Sequence, residues 1–289
     1  MREKGMIIIM KEMRILLTSD IHNCHQAWFA GSNAERMADY IKCIGEAKAK
    51  NAYDACFILG DVSLDFWVCC EGGSYLQDVK VSNTKIFWDT IQPHLPKPTY
   101  ICAGNHEQYG NEDFKKITGQ SRSQIVALSD EVVFVLLDAF SGNLDPREHS
   151  DGTYLPIDCT LIRKALEDYP NAMIFLGAHY FDVHGESEEF KTLLRENDRI
   201  KALCMGHDHR TCLELTGEES GNKIILRSGH FSYSGEKDWL RSFRGWRELL
   251  IHEDGTFESF YYVPAQTFRH QGFTVSVSEN TQDHYRSKK

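Results

Sequence analysis

Five short apolar runs, each closing on polar or ionisable residues, constrain this chain more than any other feature. "RILLTSD" runs into Asp20, "ACFILGD" into Asp61 and "TYICAGNH" into Asn105 and His106. "AMIFLGAH" ends at His179, and "IKALCMGHDH" at His207 and His209. Continuous apolar runs of this length suit strands covered on both faces. Helical patterns lie between them. Residues 34–50 place Met37, Tyr40, Ile41 and Ile44 on one face at helical spacing. "NTKIFWDTIQPHL" predicts a second helix ending near Pro93, and Asp158 and Ser187 are cap residues for "CTLIRKALEDY" and "EEFKTLLREN".

Two regions depart from strand–helix alternation. "SQIVALSDEVVFVLLDAF" reads as a hairpin around Ser129-Asp130, and after residue 210 the chain turns mostly β, with a turn signal at Asp254-Gly255. The expected fold is therefore α/β, with two packed mixed β-sheets flanked by helices. We expect residues 1–12 to form a disordered N-terminal extension, 13–274 a single domain, and 275–289 a loosely held polar tail. "MIIIM" is shorter than the roughly 7–15 apolar residues of a signal-peptide core, and no run approaches the roughly 20 of a membrane span.

Composition narrows the partners. The net charge of -10 argues against a nucleic-acid backbone as partner. It leaves room for a small phosphorylated ligand in a locally positive site. Cysteines are nine, with no C-x-x-C pair, so they read as reduced thiols of a cytoplasmic protein rather than a disulfide framework. Oligomeric state is not legible in the sequence.

The polar residues after the apolar runs share one chemistry. Ligands collect at the carboxyl ends of strands in open α/β sheets. Brought together there, Asp20, His22, Asp61, Asn105, His179, His207 and His209 would offer seven oxygen or imidazole ligands, with no thiolate. A single catalytic zinc takes about three protein ligands. Seven suit two ions about 3.5–4 Å apart, with Asp61 as the carboxylate that bridges them. Two dications bring four positive charges and Asp20 and Asp61 remove two. A bridging hydroxide removes one more, which leaves a field that still attracts a phosphate ester. His106, beside Asn105, is placed to protonate the leaving oxygen, with Asp65 or Glu107 as its orienting carboxylate. His25 and Arg210 adjoin the cluster as candidate contacts to substrate phosphate.

These blocks resemble the calcineurin-like metallophosphoesterases, whose pattern is D-x-H, G-D, G-N-H-[DE], a single His, then G-H-x-H. Here they read "DIH" at 20–22, "GD" at 60–61, "GNHE" at 104–107, His179 in "GAHYF", and "GHDH" at 206–209. The resemblance implies a four-layer α-β-β-α sandwich. It assigns Asp20, His22, Asp61 and His209 to one ion, Asp61, Asn105, His179 and His207 to the other, and His106 to catalysis. It also implies two divalent or mixed-valence ions such as manganese, iron or zinc, and hydrolysis of phosphate mono- or diesters by a metal-bridging hydroxide. "GDVSLD" departs from the common G-D-x-x-D, and "AHYF" lacks the proline that often follows the fourth-block histidine. Taken singly, each block has a plainer reading. Asp20 and His22 are a turn after a strand, "GNH" is a turn, and His179 is a satisfied buried histidine. The competing function is a non-catalytic protein-binding module on the same fold. Retention of His106 and of all seven ligand types counts against it.

Overall fold

A computed structural model describes residues 11–24, 33–64, 82–142, 144, 152–232, 243–270 and 273–288. The first sheet contains β1 (Met13–Thr18), β2 (Ala55–Leu59), β3 (Thr99–Cys102), β10 (Trp246–Ile251), β11 (Phe257–Val263) and β14 (Asn280–Arg286), in the order β14-β11-β10-β1-β2-β3. The second contains β4 (Gln124–Ala127), β5 (Val132–Leu137), β6 (Met173–Ala178), β7 (Ile200–Met205), β8 (Leu213–Leu215) and β9 (Ile224–Arg227), in the order β4-β5-β6-β7-β9-β8. A separate hairpin pairs β12 (Gln266–His270) with β13 (Phe273–Val277). Both large sheets are mixed. β1, β2 and β3 run parallel, as do β5, β6, β7 and β9, while the outer pairs are antiparallel.

Burial explains the layering. Alternate residues of the central strands meet between the sheets, where Phe57 stacks on Phe134 and Phe134 on Phe175, with ring centroids 4.0 and 5.1 Å apart. The opposite strand faces are covered by helices. α1 (Asn33–Lys50), α2 (Asn83–Thr90) and α3 (Asn111–Thr118) bury Tyr40, Phe87 and Phe114 against the first sheet. α4 (Thr160–Asp168) and α5 (Glu188–Glu196) bury Ile162 and Phe190 against the second. The result is the expected α-β-β-α arrangement, with central strands apolar on both faces. Ser187 caps α5, accepting from the Phe190 N–H at 3.2 Å. Asp158 instead accepts from Thr160 N at 2.9 Å, one residue ahead of the Cys159 cap position of α4.

The polar segment near residue 280 differs from expectation. It forms edge strand β14, paired antiparallel to β11, with Tyr285 packed against the inter-sheet core. Backbone hydrogen bonds to an edge, rather than an apolar pattern, hold it there. The seven described cysteines are free, and Cys69 and Cys70 lie outside the described residues. Among the described residues no helix is long and apolar enough to cross a membrane. The expected extension at residues 1–12 falls almost wholly outside them.

Candidate metal centre

The carboxyl ends of β1, β2, β3, β6 and β7 converge, and the polar residues after them meet in one buried cluster. Hydrogen bonds stitch the first two loops together: Ile21 N donates to Asp61 O at 2.9 Å, and Asn23 N to Val62 O at 2.7 Å. His179, from the second sheet, reaches across to Leu59 O with Nδ1 at 2.7 Å. A carbonyl can only accept, so Nδ1 keeps its proton and Nε2 is the nitrogen that faces the cluster.

Backbone strain is concentrated here. Among the described residues other than glycine, seven have left-handed φ, and Asp20, His22, Asp61, His207 and His209 are five of them. Each such residue costs about 1–2 kcal/mol, which persists only where the surroundings enforce it. Glycines allow the loops to close. Gly60 has φ 83°, and a Cβ there would lie 2.7 Å from both the Gly104 backbone and His179 Nδ1. This is the physical reason for the "GD" block.

The two carboxylates are divided in function. Asp20 Oδ2 accepts from His207 N at 2.9 Å and from Ser19 Oγ at 2.5 Å. Its Oδ1 is buried with no hydrogen-bond partner, ringed by the Nε2 atoms of His209, His22 and His179 at 3.3, 3.8 and 4.0 Å. Asp61 Oδ1 accepts from His106 N at 3.0 Å. Its Oδ2 faces Nε2 of His179, His22 and His106 at 3.1, 3.5 and 3.7 Å. Asn105 Oδ1 lies 3.0 Å from both His179 Nε2 and His207 Nδ1. Nitrogen and oxygen ligands bound at about 2.0–2.2 Å to one ion stand roughly 3–3.5 Å from each other. The donor set therefore fits metal ions in chemistry and spacing. Three groups could hold one: Asp20, His22 and His209; Asp61, His179 and His207; and His22, Asp61 and His106 across the middle.

Electrostatics agree. Burial favours the neutral form of Asp20, but the His209 and His179 imidazoles outweigh it and hold the carboxyl well below its usual range. Asp61 is held down in the same way, with His179 and His106 overcoming burial. Burial pushes His22 down to about 4, and burial with the neighbouring His179 pushes His207 down to about 4. His179 moves the other way. Burial disfavours its charge, yet the Asp61 and Asp20 carboxylates raise it to about 10. The two carboxylates thus stay ionised in the pocket and favour positive charge on His179 beside them.

Other candidates fall elsewhere. His106 sits at the edge of the cluster with its side chain 11% exposed, its ring edge-on to His22 at 5.5 Å. The Glu107 carboxylate is engaged by backbone donors. It accepts from Asp61 N at 2.8 Å, Gly104 N at 2.7 Å and Ser63 N at 3.2 Å, clasping two ligand loops together. Burial and the Asp61 carboxylate push Glu107 up to about 7. Arg210 lies 3.6 Å from Asp208 and lines a cavity of about 600 Å³ with Gln282 and Asp283. No described contact brings it to the ligands. His25 and Asp65 lie outside the described residues. Three further residues support the cluster, and of these sequence reasoning missed Phe140 and Arg36. His230 is buried and stacks on His209 at 5.0 Å. Phe140 packs against His179 and His207 at 5.6 and 5.5 Å. Arg36, from α1, donates to Ile21 O at 3.2 Å and His22 O at 3.0 Å. "RSGH" carried a histidine worth following; Arg36 left no signal in the helical pattern.

A two-sheet sandwich with this His/Asp/Asn cluster at its strand ends defines the calcineurin-like phosphoesterases, and the chain belongs to that family, whose model matches residues 13–211. No curated protein matches the chain by sequence. Among solved structures it is similar to PhoD, with a TM-score of 0.56 at 10% identity, covering 94% of this chain and 72% of that one. It is also similar to the purple acid phosphatase PPD1 from yellow lupin (Lupinus luteus) seeds, with a TM-score of 0.48 at 14% identity over 94% and 54% of the two chains. A Vps29 single mutant from Entamoeba histolytica gives a TM-score of 0.44 at 12% identity over 96% and 100%. At such identities the likeness is one of fold.

Proposed function

We propose that the chain is a dinuclear metal-dependent phosphoesterase acting on small phosphate mono- or diesters. One observation carries the reading. A single oxygen of Asp61, Oδ2, is within reach of Nε2 of both His22 and His179, at 3.5 and 3.1 Å. Asp20, His22 and His209 would hold one ion, and Asn105, His179 and His207 the other, with Asp61 shared. Such ions supply Lewis acidity to a phosphoryl oxygen and make water more acidic near neutral pH. Manganese, iron and zinc all accept this mixture of imidazole and oxygen ligands.

The chain's own residues then account for the rest of the reaction. Asp20 and Asp61 each anchor one oxygen to backbone or hydroxyl donors, so their remaining oxygens hold fixed positions. His179 is locked in one tautomer by Leu59 O. Water loses a proton and adds to phosphorus, the ester P–O bond breaks, the leaving oxygen takes a proton from His106 Nε2, and the proton shed by the water restores His106 through solvent. His106 combines a place beside Asp61 with a side chain 11% exposed, and the proposal assigns it to neither ion.

Turnover of p-nitrophenyl phosphate and bis-p-nitrophenyl phosphate with added manganese tests the proposal. Hydrolysis of either, abolished by a chelator, is the expected result. A folded, manganese-loaded sample that turns over neither ester would instead favour a protein-binding module.

A further inference from the structure

Asp208 separates two ligand candidates and takes part in neither ion-holding group. Its surroundings give it another task. Arg227, at the end of β9 with its side chain 9% exposed, donates through Nη1 to Asp208 Oδ2. The same guanidinium donates through Nε and Nη2 to Glu214 Oε2 at 3.1 and 2.5 Å. Asp208 Oδ1 accepts from Arg210 N at 3.2 Å. Thus the side chain between the histidines is tied outward, away from the cluster, by a cation braced on a second carboxylate.

The backbone shows why such a tie is needed. Asp208 N donates to Gly206 O at 3.0 Å, closing a three-residue turn around His207, whose φ is 73°. A γ-turn of this hand is rare and strained. His209 follows with φ 59°. A strained turn persists only when its surroundings over-determine it. Here two pulls act in opposite senses. Asp20 Oδ2 receives the His207 N–H at 2.9 Å on the cluster side, and Arg227 holds Asp208 on the other. The turn delivers His209 to the Asp20 and His22 group and His207 to the Asp61 and His179 group. One short segment therefore serves both halves of the cluster.

We propose that Arg227 and Asp208 are positioning residues that hold the His207–His209 turn, and so set the affinity for both ions together. The proposal rests on the dinuclear reading. Its test is titration of Mn²⁺ into metal-free full-length chain by calorimetry, with the visible absorption of Co²⁺-loaded protein as a report on ligand geometry. Wild type, R227Q, D208N, R227K and the R227Q/D208N double variant are compared, and far-UV circular dichroism and metal-free Tm follow folding.

We expect R227Q and D208N each to weaken both Mn²⁺ sites by about 10–100-fold and to shift the Co²⁺ absorption. The double variant should be no weaker than the weaker single, since both act through one contact. R227K should recover part of the loss, because an ammonium restores the charge without the fork. Wild-type Mn²⁺ affinity in R227Q with only a lower metal-free Tm would overturn the proposal, as would losses in the double variant equal to the product of the single losses. Should R227Q fail to fold, D208N alone decides, since it leaves Arg227 paired with Glu214. A wild-type chain that binds fewer than two Mn²⁺ overturns the dinuclear reading, and this proposal with it.

Discussion

The two halves of the cluster are built from similar side chains in different settings. Asp20, His22 and His209 are all buried, and Asp20 brings a carboxylate of its own. The half formed by Asn105, His179 and His207 has only the shared Asp61 for charge, and His207 is half-buried. In the first half His22 is pushed down to about 4, so its imidazole is neutral at pH 7. In the second, His179 is raised to about 10 by the two carboxylates and holds a proton there. The contrast teaches that equal ligand types do not make equal sites. On the dinuclear proposal an ion would enter the first half without displacing a proton from His22, whereas the second would displace one from His179.

The largest effect should come from removing what the halves share. Asp61→Asn is expected to abolish turnover and the binding of both ions, measured by elemental analysis after desalting. Retention of two ions would reject the bridge. Next comes the residue at the cluster's edge. His106→Ala should keep both ions and slow esters with poor leaving groups by about 10²–10⁴-fold, with a much smaller effect on p-nitrophenyl esters. Equal slowing of good and poor leaving groups would remove His106 from proton donation.

The contrast between the halves is sharpened by pH. Because His179 titrates near 10 in the metal-free chain, its proton is present at neutral pH and is lost as pH rises through that value. The His179 proton should therefore make affinity for the second ion rise by about tenfold per pH unit below that value, a dependence that His22 does not add to the first ion at neutral pH. Calorimetry in buffers of different ionisation heat should count one more proton released with the second ion, the one from His179, than with the first. Identical pH slopes for both would erase the distinction.

Smaller effects concern support rather than ligation. Glu107→Gln removes a charged acceptor from Asp61 N, Gly104 N and Ser63 N and should destabilise the chain by about 1.5–3 kcal/mol in urea unfolding, with weaker ion binding. Ser187→Ala, at the start of α5, removes one cap and should cost about 1 kcal/mol without altering ion binding. It marks the scale of a change remote from the cluster.

Much of this was legible because apolar strands and polar ends are written next to each other in the chain. "ACFILGD" contains both β2 and Asp61, and "IKALCMGHDH" both β7 and its two histidines. The hairpins at Ser129-Asp130 and Asp254-Gly255 were legible through turn chemistry. What stayed hidden depends on contacts between distant segments. Glu107 stood beside His106 in sequence, but its partners are the backbone of Asp61 and Ser63, which only packing brings near. Arg227 ended an ordinary apolar run, and nothing local tied it to Asp208. α3 has eight residues and buries Phe114 and Thr118, too little for a periodic pattern. β14 is polar throughout except for Tyr285, so its place came from backbone pairing that composition does not encode.

The central claim is that two ions straddle Asp61. A crystal of manganese-loaded protein, with anomalous scattering collected at the metal edge, tests it most directly. The account predicts two anomalous peaks about 3.5–4 Å apart on either side of Asp61, one beside His22 and His209 and the other beside His179 and His207. A single peak, or peaks remote from Asp61 in a saturated crystal, would contradict it.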